Sequence, residues 1–151
     1  MVVFRVADRR FPIFDGTGAL LVGGRWNSPG RLVVYAAETF AGALLEILVH
    51  SNLGRVPKTH AAIEISIPDR VSVEIHDALK LPKWDAEDQI ASRAFGDEWL
   101  ITRRSAVLMV PSAVTRGHER NVLINPVHPD FKFIWAGGPV DVQWDKRLFQ
   151  R

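Results

Sequence analysis

Residues 23–50, GGRWNSPGRLVVYAAETFAGALLEILVH, hold the reading on which the fold turns. Arg25 and Trp26 precede an Asn27-Ser28-Pro29-Gly30 turn. Two apolar runs follow, over 32–37 and 40–49, with Glu38 and Glu46 the charged residues between Leu32 and Val49. The first run is short, rich in valine and carries Tyr35, which predicts a buried strand. The second is longer, lacks β-branched residues before Ile47 and follows Thr39, which predicts a helix with Thr39 as N-cap. A helix apolar around nearly its whole circumference is expected at the centre of its domain. An unpaired carboxylate there is very costly, so Glu46 needs a partner. Gly23 and Gly24 allow either a tight turn or a close backbone approach just before Arg25.

Working outward, residues 2–6 read as an opening strand carrying Arg5, Asp8-Arg9-Arg10 as a solvated loop, and 14–18 as turn residues. Beyond the helix, Asn52-Leu53-Gly54 with Pro57 reads as its stop. Ile63, Ile65 and Ile67 alternate with polar neighbours over 61–68, a half-buried strand, and 71–75 repeats the alternation on a shorter scale. Residues 81–84 connect to a helix over 85–95, broken at Gly96, with Asp97 capping a further turn or two. Residues 106–110 read as a central strand whose end presents Ser112. Polar loop follows over 115–120, then the apolar Val122-Leu123-Ile124. Pro126 and Pro129 predict a rigid loop without regular structure over 125–131. Ile134-Trp135 and 139–144 are candidate closing strands. About six strands and several helices in irregular order suit a mixed α+β or α/β domain. No repeat or linker divides the chain, so 1–151 is read as one domain.

At 151 residues the chain is long enough to bury roughly two thirds of its unfolded surface. Apolar residues at 47% and charged residues at 24% match globular composition rather than disorder. The net charge of +2, from 19 Lys and Arg against 17 Asp and Glu, is weak ground for a nucleic-acid partner. There are no cysteines, which excludes disulfides and thiolate chemistry. The opening MVVFRVADRRF lacks the apolar core of a secretory signal, and no apolar run approaches the roughly 20 residues of a membrane span. A cytoplasmic protein without a membrane partner is the simplest expectation.

Walker, GxGxxG, HExxH and GxSxG signatures are missing. His118 and His128 share the C-terminal loops with Glu119 and Asp130, but without metal-ligand spacing, so no metal site is expected. His50 lies four residues after Glu46, at the helix end where it suits the negative dipole. The residues of chemical interest are Arg25, Tyr35, Glu46 and Ser112. Each has a plainer reading. Tyr35, the single tyrosine, reads equally as a core residue with a satisfied hydroxyl. Arg25 with Glu46 reads equally as an ion pair holding strand to helix, and Ser112 as a turn residue.

The order of motifs adds what the residue types leave open. G-R-W-N-x-x-G, V-Y-A-x-E-T, A-x-L-E, V-P-S-A-V and N-x-L-I-N-P-x-H-P-D-F, in that order from Phe4-Arg5 to Leu148, closely resemble the RES domain family. That family is the toxin half of bacterial RES–Xre toxin–antitoxin pairs. The resemblance implies an α+β fold with a mixed sheet, similar to ADP-ribosyltransferase toxins, in a single RES domain. It implies an enzyme that consumes NAD+ as substrate, by hydrolysis, phosphorolysis or ADP-ribosyl transfer to a protein, with no prosthetic group. It implies a cognate Xre-type helix-turn-helix antitoxin as partner, with DNA reached only through that antitoxin, and leaves a homodimer within the complex open. The family's Arg, Tyr, Glu and Ser fall on Arg25, Tyr35, Glu46 and Ser112.

Those residues suit the chemistry. A carboxylate such as Glu46 stabilises the positive charge that grows on ribose as nicotinamide leaves. Arg25 offers a forked donor to pyrophosphate or to Glu46. Tyr35 offers a ring to stack on nicotinamide, and Ser112 a hydrogen bond to the nicotinamide-side ribose or amide; Arg5 and Asn121 are expected in the same cleft. From other classes, an RNA-targeting toxin and a non-catalytic interaction module remain alternatives. For the RNA reading, Arg103-Arg104 and the basic residues of 116–120 are the supporting charges.

Overall fold

The computed structural model describes residues 1–50 and 55–150; the helix stop expected at 52–54 lies outside them. In chain order the elements are β1 (Val2–Asp8), α1 (Thr17–Val22), β2 (Val34–Ala37), α2 (Phe40–His50), β3 (His60–Ser66), β4 (Val73–Ile75), α3 (Ile90–Thr102), β5 (Val107–Pro111), β6 (Arg120–Ile124), β7 (Trp135–Ala136) and β8 (Val140–Asp141). The strands form one mixed sheet in the order β4-β5-β6-β2-β1-β3-β7, with β8 also paired to β3. The β4–β5 pair is parallel and the others antiparallel. This is an α+β architecture, with eight strands rather than six because the two closing strands are separate two-residue pieces on β3.

Strand alternation assigns the layers. Val3, Ile63 and Ile65 share a face with Val34, Ala36, Val107, Met109, Val122 and Ile124, and this core is covered by Ile13, Phe14, Phe131, Phe133 and Ile134. On the other face α2 packs through Ala43, Leu44 and Ile47 against Phe4, Val6 and Ala37. There too α3 packs through Phe95, Trp99 and Leu100 against Trp26, Leu108, Val110 and Leu123. Both helices therefore lie over one side of the sheet, with β2 between them.

Four local expectations are corrected by the structure. The helix at Phe40–His50 forms, and Thr39 caps it by accepting the Gly42 amide at 2.9 Å. It is not central: Gly42 and Ala43 are buried, whereas Phe40, Leu45 and Val49 are exposed, because only one side of α2 meets the sheet. Gly96 does not break the second helix, which starts later than expected and runs unbroken from Ile90 to Thr102. Asp97, expected to cap, instead accepts the Ser28 amide at 2.9 Å and the Ser28 hydroxyl at 2.5 Å. Prolines did not exclude regular structure after β6: Pro129 opens a 3-10 turn, Pro129–Phe133, at a position where its missing N–H is no loss. Helix α1 was not anticipated; its first amide, Thr17 N, donates to Asp15.

Candidate active site

Strands β1 and β2 meet at a single register pair, Phe4 with Ala37, and diverge from there. The Arg5 side chain spans the divergence. Its Nη1 donates to Tyr35 O of β2 and its Nε to Ile13 O of the segment that follows β1, both at 2.7 Å. Burial lowers the Arg5 pKa, with Asp15 opposing the shift. Arg5 thus lines the cleft as expected, with two of its donors already committed to backbone.

The cleft lies between α2 and α3 over β2, with a volume of about 780 Å³. That falls within the roughly 300–1,000 Å³ of small-molecule sites. Its walls come from α2 (Ala43, Glu46, Ile47, Val49, His50), the Gly23–Trp26 segment, Tyr35, the start of α3 (Gln89, Arg93), and Ala113, Arg116 and Asn121 around the β5–β6 connection.

Glu46 has the partners its position demanded, but Arg25 is not among them. Ser112 Oγ donates to Glu46 Oε1 at 3.0 Å and Asn121 Nδ2 to the same oxygen at 2.8 Å. His50 Nδ1 stands 3.5 Å from Oε2 and 2.8 Å from the Glu46 carbonyl. Both main donors come from the β5–β6 hairpin, far from α2 in sequence, and both act on one oxygen. Ser112 itself is buried at a strand end, as the Pro111-Ser112 reading required, and its hydroxyl also accepts the Thr115 amide at 3.4 Å.

The reading of Arg25 with Glu46 as an ion pair is not realised among the described residues. Arg25 Nη1 donates to Ala86 O at 2.9 Å and Trp84 O at 3.3 Å, so the connector before α3 holds the guanidinium on the other wall. Sequence reasoning missed Arg93, whose Nε donates to Gly24 O at 2.9 Å and which lines the cleft beside Arg25. Nothing in its local sequence, in the expected 85–95 helix, marked Arg93 for the site. Arg5, Arg25, Arg93 and Arg116 outnumber the acidic Glu46 and Asp85 around the cleft, which favours an anionic ligand.

Tyr35 takes the plainer reading and a place in the cleft at once. Its hydroxyl donates to Asn27 Oδ1 at 2.7 Å and accepts the Trp26 amide at 3.1 Å, fixing the loop that carries Arg25. Asn27, fully buried, completes the loop by donating from Nδ2 to Ala19 O at 2.9 Å, Ser28 O at 3.1 Å and Arg31 O at 3.3 Å. Both glycine readings hold: Gly23 has φ 73°, and a Cβ on Gly24 would lie 2.6 Å from the Tyr35 hydroxyl.

Burial raises the Tyr35 pKa above the ordinary 10.0. A phenol that holds its proton more tightly when folded contributes stability below the unfolded value, and the contribution is lost as pH rises past about 10. Tyr35→Phe is therefore expected to cost about 1–2 kcal/mol near neutrality through the two lost bonds. It should also flatten the fall of melting temperature above about pH 10, readable by thermal denaturation across pH.

Among the described residues no cluster of three or more His, Cys, Asp or Glu side chains is placed to hold a metal ion, and no helix is long and apolar enough to cross a membrane.

Residues 2–145 match the RES domain. The chain is 42% identical over 141 residues to the "Prs ADP-ribosylating toxin" of Sphingobium sp. (strain YBL2), covering 91% of this chain and 87% of that protein. It is 35% identical to "Toxin Res" of Photorhabdus laumondii, covering 98% and 97%. Its fold is similar, with a TM-score of 0.73 and 15% identity, to a chain of the crystal structure of the M. tuberculosis MbcT–MbcA toxin–antitoxin complex, covering 98% of this chain and 86% of that one.

Proposed function

The chain belongs to the RES domain family, and on that premise we propose that it is a toxin enzyme that cleaves the nicotinamide–ribose bond of NAD+ in the cytoplasm. The observation that carries this reading is the half-buried Glu46 carboxylate. Two donors on Oε1 fix it at the wall of a cleft otherwise rich in arginine. A carboxylate held this way has its orientation set before the reaction begins and needs no reorganisation as charge develops.

The chemistry assigned to each residue follows from its place. Arg25 and Arg93 use Nη1 and Nε respectively on backbone carbonyls, which leaves guanidinium N–H groups for the pyrophosphate. As the C1′–N1 bond breaks, the electron pair leaves with neutral nicotinamide and the ribosyl carbon becomes cationic beside Glu46. A lone pair on an acceptor oxygen then forms the bond to C1′, and the proton of a water or hydroxyl acceptor passes to solvent. Tyr35 shapes the cleft and holds the Arg25 loop, and its ring is the surface offered to nicotinamide. Ser112 and Asn121 act on substrate chiefly by fixing Glu46.

A protein acceptor is the second reading, favoured by the ADP-ribosylating activity in the name of the 42%-identical relative. Exposed Phe40, Leu45 and Val49 on α2, beside the cleft, support a protein partner on this side. A neutralising antitoxin of the Xre type is the partner proposed, and no metal or prosthetic group enters the mechanism.

Purified protein incubated with NAD+ is expected to release free nicotinamide, measured by chromatography. Mass spectrometry of the other product separates ADP-ribose, its 1″-phosphate formed when inorganic phosphate is supplied, and a modified protein when lysate is supplied. No release under any of the three conditions overturns the proposal.

A further inference from the structure

The carboxylate of Glu119 is not part of the cleft wall, yet it is bound into the same hairpin as Ser112 and Asn121. Its backbone carbonyl accepts the Ser112 amide at 2.9 Å, and its amide donates to Thr115 Oγ1 at 3.1 Å. Its side chain crosses to α2, where Oε2 accepts the Thr39 hydroxyl at 2.9 Å. Thr39 has one hydroxyl proton. Giving it to Glu119 turns a lone pair toward the Gly42 amide, the N-capping bond at 2.9 Å. A negative charge at the start of this helix is also favoured by its dipole.

Gly42 makes the contact sterically available: a Cβ there would lie 2.8 Å from Glu119 Oε2 and 3.0 Å from Thr39 Oγ1. Glu46 is four residues further along, on the same side of α2 and one turn away. The carboxylate–hydroxyl–amide chain therefore fixes the start of α2 to the hairpin whose Ser112 and Asn121 must meet Glu46 one turn later. The exposed Glu38–Arg120 pair beside it, with Arg120 N donating to Glu38 at 3.3 Å, is the weaker tie of the two.

The geometry points to Glu119 as a positioning residue that sets the register of α2 against the β5–β6 hairpin, and so holds Glu46 in its reactive orientation; this rests on the role proposed for Glu46. The test is the kinetics of nicotinamide release by the full chain. Glu119→Ala is expected to lower kcat on the order of tenfold with KM for NAD+ within about twofold, because the arginines that hold the substrate are untouched. Glu119→Gln, whose amide oxygen still accepts the Thr39 hydroxyl, should recover most of the loss. Thr39→Val should reproduce the loss if Glu119→Ala does not fold. In a Glu46→Gln background the Glu119 substitution should subtract nothing further.

A kcat unchanged in all three variants, a loss confined to KM, or additive losses overturns the assignment. If the wild type releases no nicotinamide, the functional reading fails on its own and two other measurements decide whether Glu119 positions α2. Hydrogen exchange at the Gly42 amide and the NMR shift of the Asn121 side-chain amide that donates to Glu46 should both change in Glu119→Ala. Their constancy overturns the assignment.

Discussion

Replacing Glu46 by glutamine is expected to lower the rate of nicotinamide release by roughly 100- to 1,000-fold, the range observed when one preorganised electrostatic group is removed from a reacting centre. The glutamine is nearly isosteric, and its amide oxygen still accepts the Ser112 hydroxyl and the Asn121 amide that now hold Oε1. The substitution thus removes charge and leaves position. Nicotinamide release under saturating NAD+, paired with a melting temperature within a few degrees of the wild type, checks the result. A rate within about threefold of the wild type would show that the carboxylate serves packing, and the ribosyl cation must then be stabilised elsewhere. Glu46→Ala is the poorer probe, since it leaves Ser112 and Asn121 without their shared acceptor and mixes lost chemistry with lost structure.

The largest expected effect on stability is at a residue with no chemistry. A Cβ on Gly96 would lie 1.7 Å from the Trp26 carbonyl oxygen and 2.7 Å from its carbonyl carbon, so α3 passes directly against the backbone of the Arg25 loop. Neither side yields cheaply. Trp26 is buried within an aromatic cluster, its ring 6.4 Å from Trp84 and 6.2 Å from Phe95 between centroids, and Asn27 beside it is fully buried and hydrogen-bonded.

Gly96→Ala is expected to cost about 3 kcal/mol or more, at the upper end of overpacking penalties. That corresponds to a fall of roughly 10 °C in melting temperature for a chain of this size. Nicotinamide release should fall with it even well below the melting temperature, because Arg25 and Arg93 are carried by the two segments forced apart. Gly18→Ala is the control: nothing lies within 4 Å of the added carbon, and alanine in α1 is expected to be neutral or slightly stabilising. Equal melting temperatures for the two variants would refute the close approach at Gly96.

The strands and the capped helix α2 were legible because their signals are local. Alternating isoleucines give β3, the short valine-rich run gives β2, and Thr39 ahead of an apolar stretch gives the start of α2. The helix at α3 was misread at Gly96 for the opposite reason: intrinsic propensity counts glycine as a break at about 1 kcal/mol, and it cannot register that the missing side chain is what admits Trp26. The same holds for α2, whose uniform apolarity predicted burial on all sides, whereas the sheet covers one side and Phe40, Leu45 and Val49 stay exposed.

For the site, sequence by itself determined that Glu46 requires a partner, since a carboxylate on an apolar helix that packs against a sheet is costly unless it is satisfied. Only the tertiary structure decided who that partner is. Ser112 and Asn121 reach Glu46 across 66 and 75 residues of chain, while Arg25, nearer in sequence and opposite in charge, is turned to the carbonyls of Trp84 and Ala86. A charge states that it must be paired. Which group pairs with it is set by the order in which strands lie in the sheet, and that order places β6 rather than the Arg25 loop beside the turn of α2 that carries Glu46.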